Sequence, residues 1–125
     1  MSLDKNQSWI LRGLLIIATV GFVIMFASIV NAVIHGNLAE EGRLLLDMPW
    51  GFVSLVDIYL GLLLFCIWII WRERFRPSAV LWALLVMTLG NLLSCLYLIK
   101  VCCESRGNIN RFWLGDRYSG DESSE

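Results

Sequence analysis

The sequence predicts an all-α integral membrane protein with three transmembrane helices. Three observations predict it. First, 58% of the 125 residues are hydrophobic and only 17% are charged, against about 45–50% and about 25% in soluble domains. Second, three apolar stretches, Leu14–Ile34, Pro49–Trp71 and Ala79–Val101, are separated by short polar segments, and each has the ~20 residues that cross a ~30 Å hydrocarbon layer. Third, the charges gather at the ends and in the loops. Inside lipid, apolar stretches of this kind must be helical, because no water is present to satisfy the backbone.

Residues 1–13 form a polar head in which Trp9 stands at headgroup depth. A signal peptide competes for the first span, since Lys5 and Arg12 precede it and Val30-Asn31-Ala32 resembles a cleavage site. The apolar run continues through Val33 and Ile34, past the roughly 7–15 residues of a signal core, so the span is kept. A loop from His35 to Met48 follows, in which Leu44-Leu45-Leu46 can lie flat at the interface. Asp47 and Pro49 start the second span: proline suits a first helical turn, where its missing N–H has no partner, and an acid favours the positive helix end. Trp50, Trp71 and Trp82 sit near span ends as interface anchors.

Arg72 to Pro77 ends the second span abruptly, and Ser78 caps the third. Spans two and three thus form a tight antiparallel hairpin. Residues 1–101 are read as a three-span domain and 102–125 as a polar tail, partly interfacial through Phe112, Trp113 and Tyr118, then disordered from Asp116. With three crossings, Lys5, Arg12, Arg72, Arg74 and Arg76 fall on one side, and Arg43, Lys100, Arg106, Arg111 and Arg117 on the other. The count is a tie. The first helix usually dominates and the first loop is acidic, which favours a cytoplasmic N-terminus and a C-terminus outside.

Asp57 is the residue most suggestive of chemistry, about 12 Å along the second helix from Pro49. An aspartate at mid-span costs roughly 2.5–3.5 kcal/mol, which a polar partner or a bound proton reduces. Asn91 in an antiparallel third span falls within about 3 Å of its depth. Tyr59, Ser94, Ser28 and Asn31 occupy the same half of the membrane, completing a candidate polar cluster. The plain reading is a hydrogen bond between helices, a contact averaging about 0.6 kcal/mol. The sharper reading is a proton or cation relay, or recognition of a headgroup. Gly61, four residues from Asp57, and Gly90, four from Ser94, let helices approach closely.

Glu73, between Arg72 and Arg74, reads as a solvated ion-pair partner rather than an acid catalyst. His35 is the only histidine, and no metal site with several ligands at defined spacing is expected. Cys102 and Cys103 read first as small apolar residues that need no role, with palmitoylation or a soft metal as the sharper alternative. Adjacent cysteines and cysteines within spans do not suggest a disulfide framework. No G-x-S-x-G, H-E-x-x-H or Gly-rich phosphate loop is present. A net charge of −1 gives nucleic-acid binding no support. No cofactor is expected.

From Asp47 onward, Asp47 with Pro49-Trp50, Leu55-Val56-Asp57 with Tyr59, Trp68, a basic residue and Glu73, then Trp82, Gly90 and Tyr97 appear in order. In this the chain resembles a family of small membrane proteins of plants and bacteria catalogued as a domain of unknown function, with Met48 interposed between Asp47 and Pro49. The resemblance covers roughly half the chain. It implies about three spans and a role for Asp57, Trp50 and Tyr59, with no activity attached.

These readings lead to a non-enzymatic accessory or assembly subunit of a membrane complex, contacting the bilayer and either a membrane-protein partner or further copies of itself. The alternative is a homo-oligomeric proton-coupled carrier or pore in which Asp57 titrates.

Overall fold

The computed structural model describes residues 2–117. Every regular element among them is helical: α1 (Ser2–His35), α2 (Leu38–Asp47), α3 (Pro49–Arg72), α4 (Pro77–Leu89), α5 (Asn91–Ser105), α6 (Ile109–Leu114) and a 3-10 turn, Gly115–Arg117. Two helices, Gln7–His35 within α1 and Pro49–Arg72, are long and apolar enough to cross a membrane. Their most apolar stretches are only 6% and 17% buried by the rest of the chain.

The expected third span is not one helix. Ala79–Val101 is divided between α4, with 13 residues, and α5, with 15, each about 20 Å long and short of the ~30 Å layer. The break is Gly90, whose φ of 63° and ψ of −138° lie in a region that side-chain-bearing residues avoid and glycine enters freely. Its N–H closes α4 on Val86 O at 2.7 Å, and its carbonyl accepts the first turn of α5 from Ser94 N at 3.3 Å. Hydropathy is continuous through Gly90, so composition alone does not register the reversal.

The chain folds back there. Along one straight helix Trp82 and Tyr97 would lie about 22 Å apart, yet their ring centroids are 5.3 Å apart. α5 then runs antiparallel along α1: a Cβ on Gly21 would meet Cys95 Sγ at 3.2 Å, and one on Gly107 would meet Ser8 Cβ at 3.6 Å. α3 pairs with α4, Cys66 Sγ donating to Ala83 O at 3.4 Å. The α4–α5 hairpin therefore enters between the long helices from one end. Leu62 lies against its tip at Gly90.

The start of α1, the end of α3, the end of α5 and α6 consequently gather at one end, called here the arginine end; α2 lies at the other. The expectation that the C-terminal segment faces away from the N-terminus does not fit this path, since Gly107 returns to Ser8. The tail boundary also moves, because α5 continues through Cys102 and Cys103 to Ser105. Asp116 and Arg117, read as the start of disorder, belong to the 3-10 turn. Disorder expected beyond residue 117 lies outside the described residues.

Residues 38–47, read as a loop, are helix α2, with Leu44, Leu45 and Leu46 exposed. Met48 is extended (φ −87°, ψ 123°) and serves as both its C-cap and the N-cap of α3, with Pro49 in the first turn as the sequence predicts. Gly51 is buried against the Leu45 carbonyl, where a Cβ would collide.

Gly90→Ala should destabilise the purified full chain by about 1–3 kcal/mol, the cost of holding a side-chain-bearing residue in that conformation. Space is not the obstacle, since the added Cβ would meet only Leu62 Cδ1, at 4.0 Å. Gly13→Ala, whose Cβ would meet nothing within 4 Å, should be neutral or stabilising by up to about 1 kcal/mol. Thermal unfolding followed by circular dichroism checks both. Equal midpoints for the two variants would contradict the assigned reversal.

Candidate functional site

The six residues expected to cluster in one polar pocket are dispersed. Asp57 and Tyr59 are exposed on α3, and Asn91 is exposed at the hairpin tip. No hydrogen bond among the described residues joins Asp57 to Asn91. Ser28 donates to Ile24 O at 2.8 Å, and Ser94, half-buried, donates to Gly90 O at 3.4 Å. Asn31 is exposed, its carbonyl 3.3 Å from His35 Nδ1. Because the tip stops level with Leu62, Asp57 lies about 7 Å beyond it along α3.

The position of Asp57 on the helix is nonetheless informative. Trp50, Ser54, Asp57, Gly61, Phe65, Trp68 and Arg72 recur at three- and four-residue spacing and share one stripe of α3. Below the tip this stripe is covered: Phe65 and Trp68 meet Tyr97 edge-to-face at 6.1 and 6.2 Å, and Trp68 packs on Phe112 at 5.9 Å. Between Pro49 and Gly61 the only buried residue is Gly51.

A polar site that the sequence reading missed occupies the arginine end. Glu73 is buried, not solvated. Its Oε1 accepts from the Tyr97 hydroxyl at 2.9 Å and from Lys100 Nζ at 3.4 Å, with Arg72 Nη1 at 3.9 Å. Its Oε2 accepts from Ser78 at 3.2 Å, so Ser78 bonds this carboxylate with its hydroxyl rather than capping α4. Arg72, also buried, donates from Nε to Phe112 O at 2.8 Å and from Nη2 to Arg111 O at 3.5 Å. The carboxylate thus joins the end of α3, the loop, α4 and α5, while Arg72 fastens α6.

Aromatic rings close around this network. Trp82, expected as an interface anchor, lies instead beneath Lys100, whose Nζ stands 5.5 Å from its ring centroid. Trp71 is half-exposed, its carbonyl taking Arg117 Nε at 2.8 Å and its ring facing that guanidinium at 5.0 Å. Trp50 stands 82% exposed above the Asp47–Pro49 corner. The missed signal was Tyr97 with Lys100: three apart on one helix face, they became partners for Glu73 only through the reversal at Gly90.

The network acts as a clamp, tying the end of α3 to α4, α5 and α6. Glu73 and Arg72 are bonded on both sides within the fold, whereas the buried indole N–H of Trp68 has no hydrogen-bond partner among the described residues. No group of three or more His, Cys, Asp or Glu able to hold a metal occurs among them either. Cys102 is buried, and Cys103 is exposed. A groove of about 520 Å³ beside α2 is lined by Asn37, Glu40, Arg43 and Asp47, and Asn37 is already bonded to Glu40 at 3.2 Å.

The family model described as a protein of unknown function, DUF1475, matches residues 2–110, and the chain belongs to that family. The match carries the resemblance back from Asp47 through α1. No curated protein and no solved structure matches the chain. Trp68, Glu73, Trp82, Gly90 and Tyr97, which carried part of the resemblance, are the residues that turn and clamp the hairpin.

Glu73→Gln should cost about 3–5 kcal/mol, because it leaves buried Arg72 without its counter-charge. Tyr97→Phe, which removes one bond to that carboxylate, should cost about 1–2 kcal/mol. Lys100→Gln should cost under about 1 kcal/mol, its side chain being 37% exposed and screened. Denaturant unfolding of the three variants checks the order. Loss of under about 0.5 kcal/mol for Glu73→Gln would remove the clamp from the account.

Proposed function

For this member of the family, we propose that the chain is a small integral membrane protein that crosses the bilayer twice, through α1 and α3. The α4–α5 hairpin enters from the arginine end and returns without crossing. Its role is that of an accessory or assembly subunit of a membrane complex. The membrane reading draws on the exposed apolar residues of α1 and α3, since only 6% and 17% of the residues in their most apolar stretches are buried. The core helix of a soluble domain would have most of this surface buried.

The observation that carries the assembly reading is Asp57. It stands about 12 Å into α3, exposed, on the stripe the hairpin covers below but not above its tip. A carboxylate at that depth costs roughly 2.5–3.5 kcal/mol unless a polar partner reduces it. Among the described residues no hydrogen bond or ion pair supplies one, which leaves this face open to a polar partner from another molecule. Gly61, on the same stripe, has open space where a Cβ would stand; a small residue there favours close approach by a helix from outside. Both roles allowed by the sequence use this face: docking to a different subunit, or self-assembly with Asp57 titrating during transport.

Isolation of the tagged chain from native membranes, with crosslinking, tests the proposal. A different protein should accompany it in fixed ratio. Asp57→Asn, which keeps the hydrogen-bonding shape, should retain that partner within about twofold, whereas Asp57→Leu and Gly61→Leu should reduce it roughly tenfold, about 1.4 kcal/mol. Recovery only as a homo-oligomer, with proton flux in vesicles abolished by Asp57→Asn, would replace the subunit by the carrier.

A further inference from the structure

The reversal at Gly90 redistributes the charges. Counting three crossings divides the ten basic residues evenly, but with α5 and α6 returned beside the start of α1, Lys5, Arg12, Arg72, Arg74, Arg76, Lys100, Arg106, Arg111 and Arg117 all belong to one end. Arg43, on α2, is alone at the other. A bias of this size marks the cytoplasmic side of a membrane protein, because lysines and arginines resist translocation.

Much of this charge is not used within the fold. Arg12, Arg74, Arg106 and Arg111 are exposed, and none belongs to an ion pair among the described residues. The acids with described side chains at this end, Glu73 and Glu104, are both held by Lys100, at 3.4 and 3.7 Å. Exposed aromatic rings alternate with the arginines: Phe75 between Arg74 and Arg76, 71% exposed, and Trp113 two residues after Arg111, 55% exposed. Cations interleaved with exposed rings suit a layer with charged headgroups above and acyl chains below.

Among the described residues, those other than glycine with positive φ are Arg74 (54°), Phe75 (57°) and Arg106 (48°), and all lie at this end. Glycine is the ordinary occupant of such positions, and another residue there is held at a conformational cost. Here the conformation ends two helices: Arg74 N–H reaches Trp71 O at 3.4 Å and Phe75 N–H reaches Ile70 O at 3.1 Å at the end of α3, and Arg106 is the left-handed C-cap of α5, so the turns project these side chains outward.

We infer that the arginine end is a binding surface for anionic lipid headgroups, seated on the cytoplasmic leaflet through Arg74, Arg106 and Arg111, with Phe75 and Trp113 inserted among the acyl chains. This rests on the membrane reading above. The partner is the negatively charged leaflet itself, since the arginines are spread over the loop, the end of α5 and α6 rather than converging on one pocket.

The test uses the full chain isolated in mild detergent and offered equal amounts of short-chain phosphatidylserine and phosphatidylcholine, with retained lipid counted by native mass spectrometry. Phosphatidylserine should be preferred at least tenfold, and high salt should weaken the preference. Arg74→Gly with Arg106→Gly places glycine where φ is positive, so the thermal midpoint should hold or rise while the preference falls by about fivefold per arginine. Arg43→Gln should leave it unchanged. Equal retention of the two lipids, or a preference that survives the double variant, would overturn the inference. Alkaline carbonate treatment of native membranes separates this from the reading beneath it. Release of the chain would sink the membrane assignment; a resistant chain without lipid preference sinks the headgroup surface alone.

Discussion

The buried carboxylate of Glu73 is the interaction on which the rest of the structure depends. It accepts from Tyr97, Lys100 and Ser78 and faces Arg72, drawing four segments to one point. Burying an ion pair is costly, and such a pair is weak evidence of stability in itself. Its contribution here is specificity of path. A carboxylate withdrawn from solvent needs donors, and only a chain that has turned back at Gly90 can bring Tyr97 and Lys100 to supply them.

From that point the molecule divides into two unlike halves. At the arginine end, α3, α4, α5 and α6 pack around Ile69, Val86, Tyr97, Val101 and Phe112, all nearly inaccessible. Towards α2, the long helices continue with almost no internal core, and leave Asp57, Gly61 and Trp50 exposed on one stripe. The uncovered half is the part that the proposed assembly role would use. The same division places charge and polarity differently, with arginines gathered at the packed end and an unpartnered carboxylate within the apolar half.

Much of the fold was legible in the sequence, for reasons that depend on local signals. The length and apolarity of the first two stretches define α1 and α3. Asp47 and Pro49 mark the start of α3 because capping and the absent proline N–H are properties of adjacent residues. The Arg72–Pro77 turn was legible for the same reason. What escaped was set by a dihedral angle and by distant partners. Gly90 reads equally as a tolerated helix glycine or as a reversal, and no hydropathy window separates the two. Glu73 reads as solvated because its flanking residues are arginines, whereas its environment comes from residues 24 and 27 positions later. Asp57 reads as exceptional from its place in an apolar stretch, but the partnership expected with Asn91 depends on a helix passing straight through Gly90.

The path through Gly90 is therefore the central claim, and relative sidedness tests it most directly. Single cysteines at Arg74, Asn110 and Ala39, exposed positions in the α3–α4 loop, α6 and α2, would be introduced into a chain whose own cysteines are replaced. In sealed vesicles, a membrane-impermeant maleimide should label Arg74→Cys and Asn110→Cys from the same side, and Ala39→Cys from the opposite one. Labelling of Asn110→Cys together with Ala39→Cys would mean that residues 77–105 cross the membrane, and would contradict the re-entrant hairpin.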